Sequence, residues 1–173
     1  MKFSNDFFTN KNGMNDKFVN MWKNVVAFFK GEPNVLGYDL INEPSGANGW
    51  KNIFSMLGPG VNNNRFLLPF YKKLVRAIRE IDQDSLVLFE PSVADYIGGF
   101  YDTPSQEFNN KNILSYHTYC PFKNSHAEPT SAVKCNLIDG IYMQERYANI
   151  RRLKIGGMMT EFGSVPESDL GIT

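Results

Sequence analysis

The chain has 173 residues, 42% apolar and 14% aromatic, with 18 basic against 18 acidic side chains and zero formal net charge. This is the make-up of a soluble globular chain with one substantial core, which excludes disorder, and the lack of any Lys/Arg block excludes a nucleic-acid surface. No stretch approaches the roughly 18 consecutive apolar residues of a membrane span, and MKFSNDFFTN has no apolar signal-peptide centre. In DKFVNMWKNVVAFFK (16–30), Phe18, Met21, Trp22, Val25, Phe28 and Phe29 recur at spacings of three and four, which predicts a helix stopped by Gly31. Trp22 falls on that face as a packing residue. VLGYDLI (35–41) is short, apolar and bounded by turn residues, the pattern of a strand buried on both faces.

A second helix is predicted over RFLLPFYKKLVRAIREI (65–81), with Phe66, Phe70, Leu74, Ile78 and Ile81 inward. Pro69 sits near its first turn, where a missing N–H costs little. LVLFEPS (86–92) is the next strand, followed by a Gly-rich loop and by NILSYHTY (112–119). A helix around 138–152 precedes the last strand, IGGMMTEFG (155–163). Strands alternating with helices, and no hairpin turn between strands, predict right-handed βαβ units in a parallel sheet. Each strand ends in reactive groups: Asn42 and Glu43, Glu90, His117 and Tyr119, Thr160 and Glu161. Side chains gathered at the C-terminal ends of parallel strands are the habit of an α/β barrel. A doubly wound sheet usually carries a Gly-rich phosphate turn instead, and neither GxGxxG nor GxxxxGK[ST] occurs.

Cys120 and Cys135 bracket the polar segment CPFKNSHAEPTSAVKC. They can close that loop as a disulfide in an oxidising compartment, stabilising by about 3 kcal/mol on the chain-entropy estimate, or stand as two thiols in a reducing one. A zinc site would need both His117 and His126 at unsuitable spacings, so no metal and no cofactor is expected.

Strand-end INEP (41–44), the His117-x-Tyr119 pair and TEFG (160–163), in that order, resemble glycoside hydrolase family 5 and its clan of barrel enzymes. Within that family KFVNMWKNVVAFFKGEPNVLGYDLINEP and YHTYCP look most like endoglycoceramidases, which release the glycan of a glycosphingolipid from its ceramide. The resemblance implies a retaining hydrolase with Glu43 as acid/base and Glu161 as nucleophile, their carboxyls about 5 Å apart rather than the roughly 6.5–9.5 Å of an inverting pair. It also implies that Asn42 binds the sugar 2-hydroxyl, Tyr119 holds Glu161, and His117 contacts the sugar or the acid/base. Trp50, just after the acid/base, either stacks on sugar or lipid or simply packs. Glu90 matches no family role and reads as a structural or subsite residue. Gly98 to Tyr101 and Phe122 are candidates for an apolar acceptor wall.

A whole barrel of this kind has eight strands and about 250 residues. Only four strands are predicted here, corresponding by resemblance to strands four to seven, so residues 1–173 read as part of one truncated (β/α)8 TIM-barrel catalytic domain, with Met1 read either as an internal methionine of a longer chain or as the start of an incomplete gene model. The implied partner is a carbohydrate or glycolipid, and the implied location of the parent is secreted or endolysosomal. A β-glucanase or mannanase of the same clan, and an inactive fragment or binding module, are the rival readings. By strand count the piece alone is expected to be catalytically silent and aggregation-prone.

Overall fold

Four strands form one all-parallel sheet in sequence order: β1 (Gly37–Asp39), β2 (Leu86–Phe89), β3 (Asn112–Tyr119) and β4 (Gly156–Gly163). The computed structural model describes residues 2–45, 59–92, 95, 97–120 and 131–163. Every crossover steps one strand in the same direction. That is how a barrel is wound, whereas a doubly wound sheet reverses direction partway.

The helices are α1 (Lys2–Phe8), α2 (Met14–Phe29), α3 (Leu68–Arg79) and α4 (Ala132–Leu153). α1 has no counterpart among the expected elements. α3 is entered through a wide π turn over Asn63–Leu67 and carries Pro69 in its first turn, as expected. α4 starts at Ala132 rather than near Ile138, because the Ser131 hydroxyl accepts the Lys134 N–H at 3.4 Å and caps the helix earlier. No helix among the described residues is long and apolar enough to cross a membrane.

β1 and β2 are shorter than expected. Their ladder pairs only Gly37 to Asp39 with Leu86 to Leu88, and ends with the Leu40 N–H on the Leu88 carbonyl at 3.1 Å. Beyond it Glu43 turns to a positive φ of 44°, and Pro44 has no N–H to offer a neighbour.

Strand alternation divides the sheet into two faces. Tyr38, Leu40, Val87, Phe89 and Leu114 are buried in the core formed with α1, α2 and α3. Asp39, Glu90, Ser115 and His117 belong to the alternate positions, which period two turns the other way. Edge-on rings organise the core: Phe7 lies 5.4 Å from Phe18 and 5.1 Å from Phe70, and Phe89 lies 5.8 Å from Tyr71 and 5.1 Å from Phe100. Such pairs add roughly 0.5–1.5 kcal/mol each beyond the area they bury.

Two expectations about packing need correction. The buried stripe of α2 is Asn15, Val19 and Val26, with Trp22 partly buried beside it; Trp22 meets Tyr38 edge-on at 6.0 Å. Phe28 falls on the back of that stripe and Phe29 on its flank in the last turn, and both are exposed, as is Met21. Counting every apolar residue had widened the face beyond what one helix can bury. In the Gly98–Tyr101 stretch, Tyr101 is exposed but Phe100 is not available as an acceptor wall. Phe100 is fully buried in the core, and Gly98 and Gly99 have φ of 118° and 57° in a turn held by Glu145 and Asn149 of α4. A Cβ on Gly99 would stand 2.6 Å from the Asn149 side chain, so that turn admits nothing larger. Phe122 and His126 lie outside the described residues.

Candidate active site

The C-terminal strand ends deliver five side chains to one place. Glu43 follows β1, Glu90 follows β2, His117 and Tyr119 close β3, and Glu161 lies near the end of β4. His117 is the hub: its Nδ1 is 3.1 Å from Glu43 Oε1, 3.4 Å from Glu90 Oε1 and 3.4 Å from Glu161 Oε2. Glu43 and Glu161 offer carboxylate oxygens that lie, together with the His117 nitrogen, within 4.8 Å of one another. The same three donors form a set that a divalent cation could use, and an ion held there would cover both carboxylates.

β4 reaches this position through a bulge. Pairing runs Ser115 to Met158 and Tyr116 to Met159, then jumps to His117 with Glu161, so Thr160 is the extra residue. Strict alternation from Met158 would turn Glu161 away from His117. The inserted residue resets the phase and sends Glu161 to the face that His117 occupies. Thr160 still reaches that face, with its hydroxyl 2.7 Å from the Ser115 hydroxyl.

Each acid is held differently. The Tyr119 hydroxyl donates to Glu161 Oε2 at 2.8 Å, and this bond to a carboxylate raises the Tyr119 pKa and keeps the phenol a donor. Glu43 is held through its main chain: its N–H donates to Glu90 Oε2 at 2.7 Å. Glu90 is buried, and that burial pushes its pKa up to about 7 against the lowering influence of the Glu43 N–H and His117. Its own backbone is clamped by the fully buried Tyr71, whose hydroxyl donates to the Glu90 carbonyl at 2.9 Å and accepts its N–H at 3.3 Å. Glu161 and Glu43 themselves remain 40% and 45% exposed, open to a substrate.

A cavity of about 200 Å³ lies beside these groups, bounded by Glu43, Glu90, Ser92, His117 and Tyr119 and walled by Ile138, Asp139 and Tyr142 of α4. That is smaller than the roughly 300–1,000 Å³ of most small-ligand pockets. The wall is stiffened from behind, because the Arg146 guanidinium stacks on Tyr142 at 4.4 Å and donates to the Asp95 carbonyl. Thr118 ties to it from the sheet, donating to Asp139 at 3.1 Å. The sulfurs of Cys120 and Cys135 are bonded, with Cα atoms 5.0 Å apart, which joins the end of β3 to the first turns of α4.

Of the residues singled out from sequence, Glu43, His117, Tyr119 and Glu161 come together, and Asn42 is exposed next to Glu43. Trp50 lies outside the described residues. Sequence reasoning noted Glu90 at a strand end but not its grip on Glu43, and it missed Asp139 and Tyr142. Those two are ordinary helix positions, and nothing in their spacing marks them as a wall.

The chain matches the cellulase family (glycosyl hydrolase family 5) over residues 1–171. It is 35% identical over 162 residues to an endoglycoceramidase of Hydra vulgaris, covering 92% of this chain and 29% of that protein. It is 33% identical over 165 residues to an endoglycoceramidase of Cyanea nozakii, covering 94% and 30%. A solved structure of endo-glycoceramidase II from Rhodococcus sp. in complex with ganglioside GM3 superposes with a TM-score of 0.70 at 20% identity, over 88% of this chain and 35% of that one. The chain thus spans about 30% of the length of the curated relatives it matches, and its four-stranded sheet is a sector of a (β/α)8 barrel. A match running almost end to end, on a sheet whose strand ends carry the expected acids, places the chain in the cellulase family, glycosyl hydrolase family 5.

Proposed function

We propose that the protein carrying this chain is a retaining glycoside hydrolase that releases glycan from glycosphingolipid, with residues 1–173 contributing to one catalytic domain. The observation that carries the reading is the closeness of two carboxylates from different strands, Glu43 and Glu161, with oxygens no more than 4.8 Å apart around His117. A retaining pair needs a separation of about 5–5.5 Å, since one carboxylate must attack the carbon whose leaving oxygen the other protonates. In the first step Glu161 attacks the anomeric carbon, the glycosidic C–O bond breaks, and Glu43 gives its proton to the departing oxygen. In the second Glu43 takes a proton from water, the water oxygen attacks the same carbon, and the ester to Glu161 is cleaved.

The surrounding groups suit those roles. Tyr119 occupies Oε2 of Glu161, leaving Oε1 free to attack. His117 touches Glu43 and faces Glu161, and Asn42, exposed next to Glu43, is the residue proposed to bind the sugar 2-hydroxyl. The lipid-linked substrate is supported by the two curated relatives, both named endoglycoceramidases, and by the Rhodococcus enzyme solved with ganglioside GM3. The Cys120–Cys135 bond supports an oxidising place of action, outside the cell or in an endolysosomal lumen.

The test is hydrolysis by the full-length protein of a glycosphingolipid and of cellulose and mannan oligomers in parallel, with the anomeric configuration of the first-formed product read by NMR. Release of intact glycan from ceramide with retained configuration is expected. Cleavage of the polysaccharide oligomers alone would move the substrate to β-glucan or mannan, an inverted product would remove the covalent step, and no hydrolysis of any of them would overturn the reading.

A further inference from the structure

We propose that Glu90 is a positioning residue of this site, fixing the Glu43 main chain with one carboxylate oxygen and the His117 ring with the other. The inference rests on the glycosidase reading above and goes beyond it, because no part of the two-carboxylate chemistry calls for a third acid.

The geometry is specific. Oε2 accepts the Glu43 N–H at 2.7 Å while Oε1 lies 3.4 Å from His117 Nδ1. Glu43 needs such a hold. Its φ of 44° belongs to the left-handed region, which side chains other than glycine, asparagine and aspartate rarely occupy, and Pro44 restricts it further. Strained backbone of this kind persists only where its surroundings over-determine it. Glu90 supplies the hold from a rigid base, since its own N–H and carbonyl are both bonded to the hydroxyl of fully buried Tyr71.

The alternatives fit less well. The Glu90 side chain is 5% exposed, too enclosed to reach a sugar as a subsite residue would. A purely structural role is served more cheaply by an apolar side chain, because an acid withdrawn from water and raised to about pKa 7 destabilises the fold when it ionises. Among the described residues, the ionic contact of Glu90 is with His117, which also faces both Glu43 and Glu161. Through these two contacts Glu90 sets where the Glu43 carboxyl stands relative to the leaving oxygen.

Positioning and general structural damage differ in what they do to substrates of unequal leaving group. The full-length protein is assayed on an unactivated glycoside, which needs protonation by Glu43, and on a dinitrophenyl glycoside, which does not. Glu90→Ala is expected to lower kcat/KM, which reads the first step, on the first by roughly a hundredfold and on the second by less than about fivefold, the pattern of lost acid assistance. Glu90→Gln keeps an oxygen for the Glu43 N–H and loses the charge beside His117, so it is expected to fall between wild type and Glu90→Ala with the same leaving-group dependence. If Glu90→Ala does not fold, Glu90→Gln decides. Equal losses on both substrates, or no loss on either, overturn the inference. An inert wild type, or a Glu161→Ala variant as active as wild type, brings down the glycosidase reading and this inference with it. An active wild type and a dead Glu161→Ala beside a Glu90→Gln indifferent to leaving group bring down this inference alone.

Discussion

The two halves of the sheet are built on different terms. β1 and β2 lie under α1, α2 and α3, where Leu67, Tyr71, Leu74, Val75, Ile78, Val87 and Phe89 are all fully buried. β4 and α4 are far more open: Phe162 is 74% exposed and Leu137 63%, and Met159 and Ile141 are also exposed. The acids divide along the same line, with Glu43 and Glu90 rising from the sealed half and Glu161 from the open one. Glu43 is therefore fixed by its main chain against a packed interior, while Glu161 is fixed by a β-ladder, a bulge and one phenol. Within this sector of the barrel, the proposed acid stands under the packed helices and the proposed nucleophile on the outer strand of the described sheet.

The largest expected effect lies in the open half. Glu161→Ala should lower turnover by roughly 10⁴-fold or more, the scale on which loss of a covalent nucleophile acts. Its half-exposed carboxylate packs against little, so the thermal midpoint should hold. Steady-state assay and calorimetry on the same preparation check both; a large loss of stability would mean the open half depends on that side chain for folding. In the sealed half the balance reverses, and Phe89→Ala should destabilise by about 3–5 kcal/mol, read from denaturant unfolding. A cost under about 1 kcal/mol would show that the aromatic core is not what makes this half rigid.

Glu90 joins the halves through His117, and its burial has a pH consequence. The groups facing it are Asp39 and Glu43 from β1 and the segment after it and His117 from β3, with Asp139 and Tyr142 of α4 lining the same cavity. Its folded pKa of about 7 stands above the ordinary glutamate value of 4.5, so the folded state binds this proton more tightly than the unfolded chain does. The stabilisation is complete below about pH 4.5 and is lost as pH rises through about 7, a change on the order of 3 kcal/mol. Urea midpoints for wild type and Glu90→Gln at about pH 5 and pH 8 test this, the variant being expected to flatten the slope.

Removing the Cys120–Cys135 bond by Cys120→Ser with Cys135→Ser should cost about 2–4 kcal/mol. Hydrogen exchange should show the loss in α4 and the end of β3 rather than in β1 and β2. Equal loss of protection everywhere would erase the distinction between the halves. The smallest effect is expected from Lys23→Ala, which breaks an exposed 3.2 Å pair with Glu80 on the outside of the sealed half. Its cost should stay within about 0.5 kcal/mol by thermal melt, since the rigidity there comes from the interior.

The strand-end acids were legible in sequence because short motifs carry them: Asn42-Glu43-Pro44, His117-x-Tyr119 and Thr160-Glu161. β3 was legible to the residue, since NILSYHTY combines β-branched, aromatic and alternating positions. What escaped was set by contacts between distant segments. Alternation alone puts Glu161 on the wrong face, and only the pairing with β3 shows Thr160 to be the extra residue. The role of Glu90 depends on Tyr71 and on the backbone of Glu43, 47 positions away. The inward stripe of α2 was misjudged because Phe28 and Phe29 look like core residues until a neighbouring helix fixes the rotation.

The bond between Cys120 and Cys135 also bears on the cavity wall. Because it joins the end of β3 directly to the first turn of α4, the position of Ile138, Asp139 and Tyr142 against the cavity is set by a covalent tie as well as by the Ser131 cap. Reducing that one bond would therefore be felt first at the wall of the cavity, with the contacts that bury β1 and β2 left intact.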